Sequence, residues 1–221
     1  MNIIRFVERM KIVFSNGKYS QEYVNFFLKH FGASPFNNCL KKTLNQYLLP
    51  FFINDIPVIP TDTEIKFGEI PFGFQFDEIL KTKGSPNCFT VENIENSILK
   101  VVRYNEKVLK SSMNVTYFFM DDLFYFGEYR FSDVTYLNTN EVIRSLAKRY
   151  NIKLPESSDK FMIGDAAGNS IFFFFNGIHL SIYYYSRFNA EINKSLDEYM
   201  SKKETSGEED TDIGSILERH F

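Results

Sequence analysis

Two segments of the chain share one pattern, an apolar strand, two turn residues and a second apolar strand. Residues 113–132 read MNVTYFFMDDLFYFGEYRFS, and residues 168–187 read GNSIFFFFNGIHLSIYYYSR. Aligned without a gap, Asp121-Asp122 falls on Asn176-Gly177. Asn-Gly between apolar runs is a strong hairpin signal, because a type I′ turn needs positive φ at both central residues. The pattern predicts two β-hairpins that turn at these pairs, each preceded by a helix.

The rest of the chain extends this pattern to an α+β fold. Residues 1–55 have helical periodicity, with Ser20 as the predicted N-cap and Gly32 as the predicted end of the second helix. Residues 56–64 contain two prolines and no periodicity, so they are the predicted linker and domain boundary. A duplicated helix-plus-three-strand unit is predicted to form a mostly antiparallel sheet. Its copies cover residues 65–132 and 138–187, followed by a C-terminal helix to residue 203 and an acidic tail over 204–221. Within that tail, residues 204–212 are predicted to be disordered, and residues 213–221 are either a last short helix or a flexible end.

Composition excludes several classes of partner. The chain has 25 Phe, 13 Tyr and no Trp, with a net charge of −3. The body lacks the basic excess that binding to a phosphate backbone needs, so no nucleic-acid partner is expected. No stretch of 18 apolar residues is present, and charges interrupt the N-terminus, so neither a membrane role nor a signal peptide is predicted. The expected location is the cytoplasm, with Cys39 and Cys88 as buried free thiols.

Catalytic signatures are missing from the sequence. There is no HExxH, no CxxC pair and no glycine-rich phosphate loop. We therefore predict no metal and no cofactor, and we favour a protein that is not an enzyme. The alternative is a metal-dependent hydrolase that uses the carboxylates of Asp121, Asp122 and Asp165.

Hairpin register predicts an aromatic face of the sheet. With two-residue turns, Phe175 pairs with Ile178 and Phe173 with Leu180, and this face forms a core. The opposite face is aromatic where a solvent-facing sheet would be polar. Either the N-terminal helices cover it as a second core, or it is exposed and binds a partner protein. The predicted partner-binding residues are the aromatic Tyr117, Phe119, Phe124, Phe126, Phe172, Phe174 and Tyr183, with Glu128 and Arg130 at the polar edge.

The order of elements resembles a known family. Gly73 lies in a turn that leads into a short helix containing Glu78, and Gly84 and Pro86 follow that helix. Over residues 65–187 this arrangement resembles the tandem-repeat fold of the beta-lactamase inhibitor proteins and the single units of BamE-type outer-membrane assembly lipoproteins. The chain differs in its helical N-terminal region. The resemblance implies an open sheet face that binds protein, and so an inhibitor- or immunity-like binding module.

Overall fold

The computed structural model describes residues 3–40, 43–52, 56–108, 111–131, 134, 139–155 and 158–205. The predicted tail from residue 206 onward lies outside the described residues. The helices are α1 (Ile3–Asn16), α2 (Gln21–Phe31), α3 (Leu44–Leu48), a 3-10 helix (Leu49–Phe51), α4 (Phe76–Lys83), α5 (Thr139–Arg149) and α6 (Ala190–Thr205). The strands are β1 (Val58–Thr61), β2 (Cys88–Ile94), β3 (Ser97–Val108), β4 (Ser111–Met120), β5 (Leu123–Phe131), β6 (Lys160–Asp165), β7 (Asn169–Phe175) and β8 (Leu180–Ser186).

All eight strands form one sheet in the order β1-β6-β7-β8-β5-β4-β3-β2. Only the edge pair β1–β6 is parallel, so the predicted α+β class with a mostly antiparallel sheet is confirmed. Both faces are covered by helices. We call the face under α4 and α5 the first face, where Phe76 and Leu146 enter the core. We call the face under α3, the 3-10 helix and α6 the second face, where Tyr47 and Leu196 enter the core.

The first predicted hairpin is β4–β5, and it turns at Asp121-Asp122 as predicted. Both turn residues have positive φ, 49° and 68°. Three residues after the turn the register changes, because Phe119 pairs with Phe124 whereas Phe118 pairs with Phe126. This β-bulge inserts one extra residue, Tyr125, into β5. An extra residue moves every later side chain of the strand to the opposite face.

The second predicted hairpin is β7–β8, and its loop is longer than predicted. Phe175 pairs with Leu180 and Phe173 with Ile182, so four residues separate the strands. The Asn176 side chain shapes this loop by accepting hydrogen bonds from the backbone N–H groups of Ile178 and His179. A change of two residues keeps the faces as predicted. Ile178, however, leaves the predicted core and lies exposed in the loop.

Two strands lie where the sequence indicated none. β1 occupies the predicted linker 56–64 and pairs in parallel with β6, with Pro60 opposite Gly164. A proline fits there because β1 is at the edge of the sheet. β2 forms the opposite edge of the sheet. With it, the first predicted unit contains four strands, β2 to β5, and the second contains three, β6 to β8. At the start of the first predicted unit, residues 67–70 form a turn with one bridge between Phe67 and Ile70. Internal duplication of the chain stays a prediction.

The two cysteines form a disulfide bond instead of the predicted free thiols. Cys39 lies between α2 and α3, and Cys88 begins β2, with their Cα atoms 5.4 Å apart. Neighbouring bonds hold the same segment to the sheet. The Cys39 N–H donates to Thr90 Oγ1 at 2.7 Å, and the Arg103 guanidinium donates to the Cys39 carbonyl. The segment before α3 is therefore fixed to the second face by a covalent bond.

Candidate functional site on the first helix

The structure divides the predicted aromatic site between the two faces of the sheet. Tyr117, Phe119 and Phe124 lie on the first face. The remaining aromatic residues of the prediction lie on the second face, namely Phe126, Phe172, Phe174 and Tyr183. Glu128 and Arg130 follow Phe126 at alternate positions of β5, where they pair with Tyr183 and Ser181. The bulge at Tyr125 explains the separation, because it changes the face to which the later part of β5 belongs.

Most of these side chains are also buried. Of the nine predicted residues, only Phe174 and Arg130 are partly exposed. On the second face, the rings of Tyr47 and Phe51 pack against Phe126 with centroids 6.3 Å and 6.0 Å away. On the first face, the Phe72 ring stacks on Phe124 at 5.3 Å. The prediction of an exposed aromatic face is therefore wrong for this conformation, and the alternative of a second core describes the second face.

Polar residues within the second face form a row across four strands. Arg103, Thr116, Glu128 and Tyr183 are neighbours in the register and all are buried. Arg103 Nε donates to Thr116 Oγ1 at 3.2 Å. Burial, followed by the negative charge of Glu128, raises the pKa of the Tyr183 phenol well above its ordinary value. The row is therefore a set of polar groups buried inside the second face, beneath the helices and loops that cover it.

The three carboxylates of the alternative hydrolase site do not come together. Asp122 Oδ1 accepts from Lys100 Nζ at 2.6 Å, and Asp121 Oδ1 accepts from the Ile98 N–H at 2.8 Å. Asp165 lies in a different turn, between β6 and β7. Its two oxygens accept from the backbone N–H groups of Ile65, Ala167 and Asn169 at 2.8–2.9 Å. The carboxylates therefore lie in two separate turns, and each has its own hydrogen-bond partners.

The described residues contain neither a metal-binding cluster nor a membrane-spanning helix. There, no cluster of three or more His, Cys, Asp or Glu side chains is placed to hold a metal ion. Over the same part of the chain, no helix combines the length and apolar character needed to cross a membrane.

A hollow between α6 and the loop before α3 is the first surface feature to consider. Its polar lining includes Asn38, Gln46 and Glu92. Burial raises the pKa of the Glu92 carboxyl. Asn38 Oδ1 already accepts from Thr90 Oγ1 at 2.8 Å, and Gln46 Oε1 accepts from the Thr43 N–H at 3.2 Å. These polar groups therefore shape the loop.

The α1–α2 hairpin is the second feature, and it is joined to the sheet through α2. Ser20 caps α2 by accepting from the Tyr23 N–H at 3.2 Å, and Gly32 ends it with φ at 71°. Tyr23 and Phe26 of α2 are buried, and the preceding Tyr19 packs on Phe89 of β2. Among the helices and strands that the structure describes, α1 makes an extensive contact with α2 alone.

One side of α1 packs on α2 through a polar contact. Arg9 Nη2 donates to the Tyr23 hydroxyl at 2.8 Å, and its guanidinium lies over the Phe27 ring at 5.3 Å. On the same side, Glu8 approaches His30 Nε2 at 3.5 Å. These contacts fix the rotation of α1 about its axis, so they determine which of its residues face away from α2.

The side of α1 that faces away from α2 is apolar. Ten large apolar side chains among the described residues are exposed, and six of them lie in the α1–α2 hairpin. Phe14 is 81% exposed and Ile4 73%, with Phe6 and Val7 also exposed. A shallow, open surface runs along this side of the helix, formed by Phe6, Val7, Met10, Lys11, Phe14 and Ser15. We call these six residues the α1 groove. A soluble protein that concentrates exposed apolar groups in one place commonly uses that place for binding.

Charge also distinguishes the hairpin from the rest of the chain. Its basic residues are Arg5, Arg9, Lys11, Lys18 and Lys29, and its acidic residues are Glu8 and Glu22. Residues 3–31 therefore carry a formal charge of +3, while the remainder of the chain carries −6. Lys11 is the one charged residue that lines the α1 groove.

The comparisons with known proteins give no relative. No protein-family model, no curated protein and no solved structure matches the chain. The geometry of the chain itself is therefore the basis for the function proposed below.

The α1 groove was visible in the sequence only as a helical pattern. Ile3, Val7, Met10 and Phe14 recur at intervals of four, three and four residues. The same pattern describes a helix that packs on its own protein and a helix whose apolar side binds a partner. The solvent exposure of that apolar side separates the two cases, and it depends on how α1 packs on α2.

Proposed function

We propose that this protein is a non-enzymatic binding module that engages a partner protein through the α1 groove. The observation that supports the proposal is the concentration of exposed apolar side chains on α1, above all Phe14. Covering apolar surface is favourable, and fully burying a Phe side chain contributes about 1.5–3 kcal/mol. A partner helix or loop seated in the groove would gain this term without displacing any part of the core.

The protein offers a sharp test because Phe14 is exposed and does not support the fold. The Phe14→Asp variant should keep the wild-type melting temperature but bind the partner about 10- to 150-fold more weakly, since each 1.4 kcal/mol is a factor of ten. Ile178→Asp is the matched control, because Ile178 is 66% exposed in the β7–β8 loop. Partners would be captured from the native host, purified and titrated against the three proteins.

Two results would contradict this function. One is a partner whose affinity is the same for Phe14→Asp and for wild type. The other is a partner that Ile178→Asp weakens as much as Phe14→Asp does, because the loss would then not report on α1. An inhibitor- or immunity-like role, as the resemblance implies, is the form of binding module we propose.

The location of the protein is part of the same proposal. The sequence predicts the cytoplasm, whereas a stable disulfide is typical of compartments that keep thiols oxidised. The Cys39–Cys88 bond therefore supports an oxidising compartment. Acid quenching of native-host cells, followed by thiol alkylation under denaturing conditions, decides between the two: an unalkylated pair supports the oxidising compartment, and a fully alkylated pair supports the cytoplasm.

A further inference from the structure

We propose that the partner segment is an amphipathic helix with acidic flanks that lies along the α1 groove. This inference rests on the proposed function and adds the chemistry of the partner. It depends on three observations, which are the spacing of the groove residues, the sign of the charge beside them and the poor fit of the groove to a second copy of this chain.

The spacing fits a helix. α1 has 14 residues and so is about 21 Å long at 1.5 Å per residue. Val7 and Phe14 are seven residues apart with Met10 between them, and all three line the groove. This is the interval at which side chains form a seam between two packed helices. A helix packed along this seam therefore presents its own apolar residues at i, i+3 or i+4, and i+7.

The charge selects an acidic helix. Lys11 lines the groove and is exposed. The acidic residue of α1, Glu8, lies within 3.5 Å of His30 on α2 and outside the groove lining. A carboxylate on the flank of the bound helix would thus meet Lys11, whereas a lysine there would meet a like charge. Flanking charges of this kind govern partner choice more than affinity.

A second copy of the chain is a poor binding partner for the α1 groove. An antiparallel pair of α1 helices related by a two-fold axis near Met10 would bring Lys11 of both copies to the same part of the interface. Each hairpin also carries +3. Like charges that face each other across an interface are unfavourable. An acidic partner would bind the same groove without this repulsion between lysines.

The test uses three synthetic peptides of three heptads each. Two have leucine at positions a and d, with either glutamate or lysine at every e and g position, and the third is the glutamate peptide with serine at a and d. Fluorescence anisotropy measures their binding to the full chain. We expect the glutamate peptide to bind at least tenfold more tightly than the lysine peptide, and the serine peptide to show no binding up to 1 mM.

Variants of the full chain locate the interaction. Phe14→Asp should weaken the glutamate peptide at least tenfold, and Lys11→Glu should reverse the preference between the glutamate and lysine peptides. Ile178→Asp should change neither. No binding of the glutamate peptide up to 1 mM would overturn the proposal of an acidic helix. The proposed function would still be tested separately, by titration of the captured partner against wild type and Phe14→Asp.

Other occupants of the groove give distinct results, each of which would overturn the acidic helix. Equal binding of the glutamate and lysine peptides, lost in Phe14→Asp, would leave the proposed function and remove the charge selection. Sedimentation that shows a wild-type dimer and a Phe14→Asp monomer would assign the groove to a second copy. Binding to phosphatidylserine-containing vesicles that Phe14→Asp abolishes would assign it to a membrane surface.

Discussion

Reduction of the Cys39–Cys88 disulfide should remove about 4 kcal/mol from the free energy of unfolding. The bond joins residues 49 positions apart. In the chain-entropy model, closing a loop of this length in the unfolded chain is worth about 4 kcal/mol at 25 °C. Both cysteines are buried, and in the chain-entropy account the loss comes mainly from the greater freedom of the reduced unfolded chain.

Urea unfolding followed by circular dichroism measures this loss. With a slope of roughly 2–3 kcal/mol per molar urea, the midpoint should fall by about 1.3–2 M when dithiothreitol is added. A Cys39→Ala, Cys88→Ala double variant is the control, because its midpoint should not respond to dithiothreitol. The reasoning fails if the oxidised and reduced wild-type proteins unfold at the same urea concentration. It also fails if untreated, denatured protein contains two free thiols.

Three further predictions concern the stability of the fold. At Gly127 a Cβ atom would meet the Phe67 ring at 2.8 Å, so Gly127→Ala should cost about 1–3 kcal/mol by urea unfolding. In a Phe67→Ala background, itself about 3–5 kcal/mol less stable, the added cost should shrink; an unchanged cost would contradict the close packing. Burial, followed by the charge of Glu106, raises the pKa of Tyr129 to about 12. Because the unfolded phenol titrates near pH 10, this contribution is fully present below pH 10 and should be lost as the pH rises to 12, by about 2 kcal/mol. Tyr129→Phe should flatten that loss, and an identical pH slope in the variant would refute it. Finally, Ser20→Ala should lower the free energy of unfolding by about 1 kcal/mol, because α2 loses its N-cap. An unchanged free energy of unfolding would contradict the role of Ser20 as a cap.

Local sequence signals predicted the elements of the fold well. Ser20 and Gly32 marked the start and end of α2, because a cap is a property of one or two residues. Asp121-Asp122 marked the first turn for the same reason. The apolar runs on either side of each turn were long enough to identify the strands. Class and order of elements depend on such local features, and they were predictable.

Placement of side chains on faces was less predictable. The alternation in β5 changes at Tyr125, where a bulge inserts one residue, and nothing in LFYFGEYRF distinguishes that position. Because of this single residue, Phe126, Glu128 and Arg130 lie on the second face instead of beside Phe124. The long Asn176–His179 loop was missed because its Asn-Gly pair also fits a two-residue turn.

Long-range pairing was the other limit. β1 contains Pro60 and has no period, so only its position next to β6 identifies it as a strand. The Cys39–Cys88 disulfide joins segments that are 49 residues apart, and no local pattern connects them. The α1 groove has the same origin, because Val7 and Phe14 became surface residues through the contact of Arg9 with Tyr23. Burial is a property of the assembled chain.

Site-specific photo-cross-linking in the native host tests the binding surface most directly. A photoreactive benzoyl-phenylalanine replaces Phe14 in one protein and Ile178 in another, since both positions are exposed and neither supports the core. We predict a cross-linked protein partner of defined mass at position 14 and none at position 178. No cross-link at position 14, or the same cross-linked species from both positions, would contradict the claim that the α1 groove is the working surface of this protein.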